Sequence, residues 1–284
     1  MERMTIRPAA VAGSWYPSSA GALTREVDAY LDAAVPAPAG EIRALIVPHA
    51  GMMFSGAVAA CAYKAAAKQS YDVAVLAGPS HFVGFDGVAL YPDGAFATPL
   101  GPLAIDAAAG AAIAAADPIV HPAVRPHARE HSLEMQLPFL RRLFPELPIV
   151  PLLMGRQTPS TIARLAAALA AGIGTRRALL IASTDLSHYF DADTAASLDA
   201  AVHDRVAAFD APGLLAHFER EPEEERGRRV GCGMGPAIAV MMAARALGAR
   251  DARVLRYAHS GHVSGDYTGV VGYLAAVLGA FSAH

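Results

Sequence analysis

Four short segments of this 284-residue chain set chemically active side chains beside glycine, proline or the end of an apolar run. They are Val47-Pro48-His49-Ala50-Gly51, Gly78-Pro79-Ser80-His81, Ser183-Thr184-Asp185-Leu186-Ser187-His188-Tyr189 and Gly231-Cys232-Gly233. Two imidazoles and a thiolate make an incomplete coordination sphere for a first-row metal, which leaves room for a substrate. His49, His81 and Cys232 are therefore the candidate ligands. His188 is the candidate acid or base, with Asp185 to orient it. A fifth segment, Glu130-His131-Ser132-Leu133-Glu134, adds Glu130 and His131 to the candidate catalytic residues. Glu130 and Asp185 are the carboxylates best suited to orient the ligands from behind. Cys232 stands before a predicted helix, whose N-terminus favours a thiolate.

Each residue has a plainer reading. A single histidine after a strand is commonly a hydrogen-bonded loop residue. Cys232 could close a glycine turn at a helix start, and residues 130–134 could be a capped helix start. What favours a shared site is the recurrence of one Pro/Gly-bounded context at separate strand ends. Cys61, among alanines, reads as a core thiol. His127, His203 and His217 read as surface residues, while nothing fixes His259 and His262 at the crevice. Gly231-Cys232-Gly233-Met234-Gly235 lacks the strand and spacing of a dinucleotide loop. Gly261-His262-Val263-Ser264-Gly265 lacks the order of a nucleophile elbow.

The elements that must position these residues alternate along the chain. Apolar strands are read at Arg43–Val47, Asp72–Ala77, Val88–Tyr91, Ile149–Met154, Ala178–Ala182, Val254–Ala258 and Val270–Leu278, the last partly helical. Helices are read at Ala22–Ala34, from Ser55 as N-cap through Lys68, from about Asp106, and over Ser132–Phe144 with a break at Pro138. Further helices fit a start near Ser160, Thr194–Phe209 and Pro236–Leu247. Glu219–Arg229 reads as a solvated loop. The expectation is one α/β domain over residues 1–284, with a central mixed, largely parallel sheet flanked by helices on both faces. In such a sheet ligands sit outside the carboxyl ends of the strands.

Bulk properties exclude several classes. The formal net charge is -3, so no basic footprint for nucleic acid exists. No run approaches the roughly 20 apolar residues of a membrane span, and Met1–Arg7 does not read as a signal peptide. Two cysteines build no disulfide framework, which suits a cytoplasmic protein.

The motifs together resemble the Memo family, whose microbial members include component B of the AmmeMemoRadiSam system. The resemblance runs through Ala12-Gly13-Ser14-Trp15-Tyr16-Pro17, Pro48-His49-Ala50-Gly51, Gly78-Pro79-Ser80-His81 and Thr98-Pro99-Leu100. It continues through Glu130 to Pro138, Ser183 to His188 and Cys232-Gly233. It implies the fold of class III extradiol dioxygenases, which hold non-heme iron with two histidines and a carboxylate. It carries His49 and His81 onto the histidine ligands, Cys232 onto the third position, and Asp185 and His188 onto the adjoining pocket. It also implies functional association with a radical-SAM protein and an AMMECR1-like protein. Cys232 stands where the dioxygenases place a carboxylate. A thiolate is softer and oxidisable, so iron, copper or zinc all suit it and catechol cleavage is not implied. Two expectations follow: a metal-dependent oxidoreductase acting on a small molecule, or a non-catalytic module holding a ligand or peptide in the same crevice.

Overall fold

The computed structural model describes residues 5–35, 38 and 40–281, so part of the segment read for a targeting signal lies outside it. Its strands are β1 (Ile6–Arg7), β2 (Gly40–Val47), β3 (Val73–Pro79), β4 (Val88–Leu90), β5 (Ala95–Phe96) and β6 (Leu103–Ala104), then β7 (Val120–Pro122), β8 (Ile149–Met154), β9 (Ala178–Ser183), β10 (His188–Phe190), β11 (Asp251–His259) and β12 (Val270–Phe281). The helices are α1 (Ala20–Ala33), α2 (Met52–Ala66), α3 (Ala107–Ala116), α4 (Leu137–Leu143) and α5 (Pro159–Ile173), then α6 (Ala192–Ala207), α7 (Ala211–Arg220), α8 (Glu223–Arg229), α9 (Met234–Ala246) and α10 (Gly261–Ser264).

Nine strands form one mixed sheet in the order β10-β12-β2-β9-β3-β8-β4-β7, with β11 paired to β12; β1, β5 and β6 make a small second sheet. The centre, β2-β9-β3-β8, is parallel, and β12, β11, β10 and β4 add antiparallel pairs. The central strands are apolar without alternation because both faces are covered. Along β2, Leu45 and Val47 join Tyr63, Leu23 and Phe139 in one core, while Ala44 and Ile46 join Leu169, Ile238 and Val240 in the other. Successive side chains point to opposite faces, so one strand feeds both layers. The mixed, helix-flanked sheet read from the sequence is the one found.

Several boundaries differ. Helix α2 begins at Met52 with Gly51 as its cap, because the Ser55 hydroxyl turns back to donate to the Ala50 carbonyl. The stretch 219–229 is not a loop: it holds the end of α7 and all of α8. In α8 three glutamates fill the first turn and three arginines the last, which complements the helix dipole and forms a helix with no buried residue. Residues 270–281 are strand throughout. Pro138 divides its segment as the sequence suggested, standing in the first turn of α4 after a short 3-10 turn at Glu134–Gln136. No described helix is long and apolar enough to cross a membrane.

Candidate metal centre

The carboxyl ends of β2, β9 and β3 lie side by side because the three strands are parallel neighbours. His49, Asp185 and His81 follow those ends directly, where an open α/β sheet places its ligands. Cys232 arrives from the turn between α8 and α9. That turn needs glycine: a Cβ on Gly233 would lie 2.2 Å from the Ser183 carbonyl oxygen and 2.9 Å from the Thr184 Cβ. The backbone N–H of Gly233 donates to Thr184 Oγ1 at 3.0 Å, and Gln157 clamps the turn from the end of β8, donating to the Cys232 carbonyl and accepting from Gly235.

A buried polar network fixes the tautomer of His49. The Ser183 hydroxyl donates to the Ser132 carbonyl at 2.7 Å, and its oxygen accepts from Gln136 Nε2 at 2.8 Å. Gln136 in turn donates to the Pro48 carbonyl and accepts from the Tyr63 hydroxyl. With its only proton committed, Ser183 can meet His49 Nδ1, 2.9 Å away, only as an acceptor. His49 therefore carries its proton on Nδ1 and turns the Nε2 lone pair into the pocket, 3.1 Å from Cys232 Sγ. Burial, then the charge of His81, pushes the His49 pKa well below the usual imidazole range.

His81 is oriented by a different partner. Glu130 accepts from its Nδ1 at 2.8 Å and from its backbone N–H at 2.6 Å, leaving Nε2 outward. The same carboxylate accepts from the backbone N–H groups of His131 and Ser132. Burial alone would raise the Glu130 pKa, but the hydrogen bonds and charge of His81 outweigh it and hold the group down at about 2.

His131 is the third imidazole. Its ring lies 4.3 Å from that of Trp15 and stacks on His81 at 4.6 Å and 17°. Neither ring nitrogen makes a hydrogen bond to a described residue; the nearest carboxylate oxygen, on Glu130, is 3.5 Å from Nδ1. Burial, then His49 and His81, lowers its pKa to about 3. One ring nitrogen from each of His49, His81 and His131 falls within 4.8 Å of the others, so the three imidazoles could hold a metal. Imidazole donors suit a transition metal.

Three expectations need correction. The Cys232 thiol is not activated by its helix: burial, then the Asp185 carboxylate, pushes its pKa up. The N–H groups of the turn that could have helped are spent on Thr184 and Gln157. Asp185 does not hydrogen-bond His188; its Oδ1 accepts the backbone N–H groups of His49 and Ala50, so it holds the loop of a candidate ligand. His188, whose pKa burial lowers, keeps a buried Nδ1 with no partner among the described residues. His127 is buried, bonded through Nε2 to the Ala89 carbonyl. His259 and His262 stack on each other at 3.7 Å beside Tyr267, in the β11–β12 connection. Ser183, Gln136 and Tyr63 received no role from the sequence; their only signal was a polar group inside an apolar run.

The family profile described as Memo-like protein matches residues 7–277. The chain belongs to the Memo family. Curated relatives are similar almost end to end. A MEMO1 family protein of Methanopyrus kandleri is 35% identical, covering 96% of this chain and 98% of its own. A MEMO1 family protein of Thermotoga maritima is 34% identical, covering 96% and 99%. Among solved structures, an uncharacterized Escherichia coli K12 protein superposes with a TM-score of 0.52 at 14% identity, covering 84% of this chain and 100% of its own. That likeness bears on the fold alone. As a Memo family member, the chain carries its matched region across every strand end that bears a candidate ligand.

Proposed function

We propose that the chain is a metal-dependent oxidoreductase in which His49, His81 and Cys232 hold iron or copper, with zinc as the remaining option. The observation that supports this is the matched treatment of two imidazoles. His49 and His81 each give Nδ1 to a fixed acceptor, Ser183 or Glu130, and turn Nε2 away from it, that of His49 toward Cys232 Sγ at 3.1 Å. Partners of this kind orient metal-binding histidines and raise their basicity. Bound iron or copper would supply Lewis acidity and one-electron chemistry at the pocket. The chain's own residues supply the rest. Asp185 fixes the His49 loop, Trp15 and His131 wall the pocket, and His188 is the acid or base of the reading, acting on a small-molecule substrate. Action beside a radical-SAM protein and an AMMECR1-like protein belongs to this reading through the family resemblance.

One observation favours a second reading, a non-catalytic module. Phe82 and Tyr189, next in sequence to His81 and His188, are 54% and 70% exposed and offer aromatic surface to a ligand or peptide. Elemental analysis of untagged protein purified anaerobically, beside Cys232→Ser, tests the first reading. Near-stoichiometric iron or copper in the parent, with less copper in the variant, supports it. A parent that neither retains metal nor takes it up on reconstitution overturns it.

A further inference from the structure

Three imidazoles meet within 4.8 Å, the Cys232 sulfur joins them only beside His49, 3.1 Å from its Nε2, and the protein treats the four donors in two ways. His49 and His81 are locked: each has Nδ1 hydrogen-bonded to a buried group that cannot leave. Cys232 and His131 are not. The Cys232 sulfur has only His49 Nε2 at 3.1 Å and the Asp185 carbonyl at 4.0 Å. The His131 ring stacks on His81 and meets Trp15 at a 49° tilt, with no hydrogen bond to either nitrogen among the described residues. Stacking fixes the plane of a ring but lets it turn within that plane. Sulfur and imidazole also differ in softness, so they rank metal ions differently.

We infer that Cys232 and His131 are alternative third ligands sharing the locked pair His49/His81. A soft ion such as copper(I) takes the sulfur, and a harder divalent ion takes the His131 imidazole. The inference rests on the proposed metal reading, keeps its His49/His81/Cys232 set for a soft ion, and replaces the third ligand by His131 for a harder one. Covalent loss of the thiol would then convert the centre to three imidazoles instead of emptying it.

The test uses metal-free full-length protein under anaerobic conditions, titrated with copper(I) and, separately, with cobalt(II) as a spectroscopic substitute for iron(II). Parent, Cys232→Ser and His131→Asn are compared. Trp15, the only tryptophan, reports occupancy by fluorescence. Thiolate-to-cobalt charge-transfer absorbance and alkylation of Cys232 report whether sulfur is bound. Copper(I) should bind Cys232→Ser at least about tenfold more weakly and His131→Asn nearly as the parent does; cobalt(II) should show the reverse. In the parent, copper(I) should protect Cys232 from alkylation, while cobalt(II) should give neither protection nor a charge-transfer band. Each variant is thereby checked for an intact pocket by the ion it still binds. Cobalt(II) bound through sulfur in the parent, or unaffected by His131→Asn, overturns the inference and leaves the metal reading standing. Binding of neither ion by the parent overturns both.

Discussion

Glu134 and Glu130 sit four residues apart in one buried segment, and their surroundings could hardly differ more. Glu134 accepts from the Arg7 guanidinium at 2.6 Å, from the backbone N–H groups of Ala10 and Val11, and from the Tyr16 hydroxyl. Arg7 spends its remaining donors on the carbonyls of Pro8, His127 and Glu130. Glu130 accepts from His81 and from the backbone of His131, groups whose other nitrogens face the pocket. The first carboxylate closes a clamp between the N-terminal arm and the sheet. The second aims an imidazole whose far side is open. A buried carboxylate marks function when its partners have a second face to offer, and marks architecture when they do not.

The comparison is most easily broken at Glu134. Glu134→Ala leaves Arg7, 3% exposed, as a buried charge without its partner. The expected cost is about 3–5 kcal/mol, lowering Tm by about 2–4 °C per kcal/mol in a protein near this size. Thermal unfolding checks this. A loss below about 1 kcal/mol would show that the clamp is dispensable.

Glu130→Gln should separate the two roles. Stability should fall less than in Glu134→Ala, whereas metal affinity should fall about 10–100-fold because His81 loses the negative charge behind its Nδ1 and one of the two oxygens that hold it. Parallel melts and metal titrations measure both quantities. An unchanged affinity would place Glu130 with Glu134 as architecture.

Ser183→Ala removes the acceptor that holds the His49 proton on Nδ1 and frees Gln136 Nε2 of one partner. The expected loss of metal affinity is smaller, up to about tenfold, matching a single hydrogen bond of about 0.5–1.5 kcal/mol. Restoration by Ser183→Thr, which keeps the hydroxyl, would distinguish tautomer control from simple packing.

Asp199 extends the comparison to a buried carboxylate with no cation. It accepts from the Ser187 backbone N–H and the Tyr257 hydroxyl, and burial raises its pKa. A carboxyl whose folded pKa lies above its unfolded value contributes stability fully below the unfolded value, near 4, and loses it as pH climbs through the folded one. Replacing it by Asn removes that dependence. The Tm difference should therefore move in favour of Asp199→Asn between about pH 4 and pH 7. A difference that stays flat or moves the other way would contradict the direction of the shift.

These contrasts also show what the sequence makes legible. Strands β2, β3, β8 and β9 are readable as unbroken apolar runs because both their faces are buried. Their glycine- and proline-marked ends then direct attention to His49 and His81. Strand β11 is read too short because Arg253, exposed at the sheet's edge, breaks the apolar run before Val254. The clamp at Glu134 is invisible to spacing, since Arg7 lies 127 residues away. The start of α2 is missed because a serine that suits a cap uses its hydroxyl elsewhere. The raised pKa of Cys232 comes first from burial and then from the charge of Asp185, which arrives from the end of β9.

The 183-residue span from His49 to Cys232 has a consequence in time. Loop closure over such distances is slow relative to helix formation. During synthesis β2, β3 and β9, and with them His49, His81 and His131, are made before Cys232, whereas β12 and α9, which complete the sheet and cover it, are made after it. The nitrogen donors are thus all made before the sulfur, and the elements that enclose them come last.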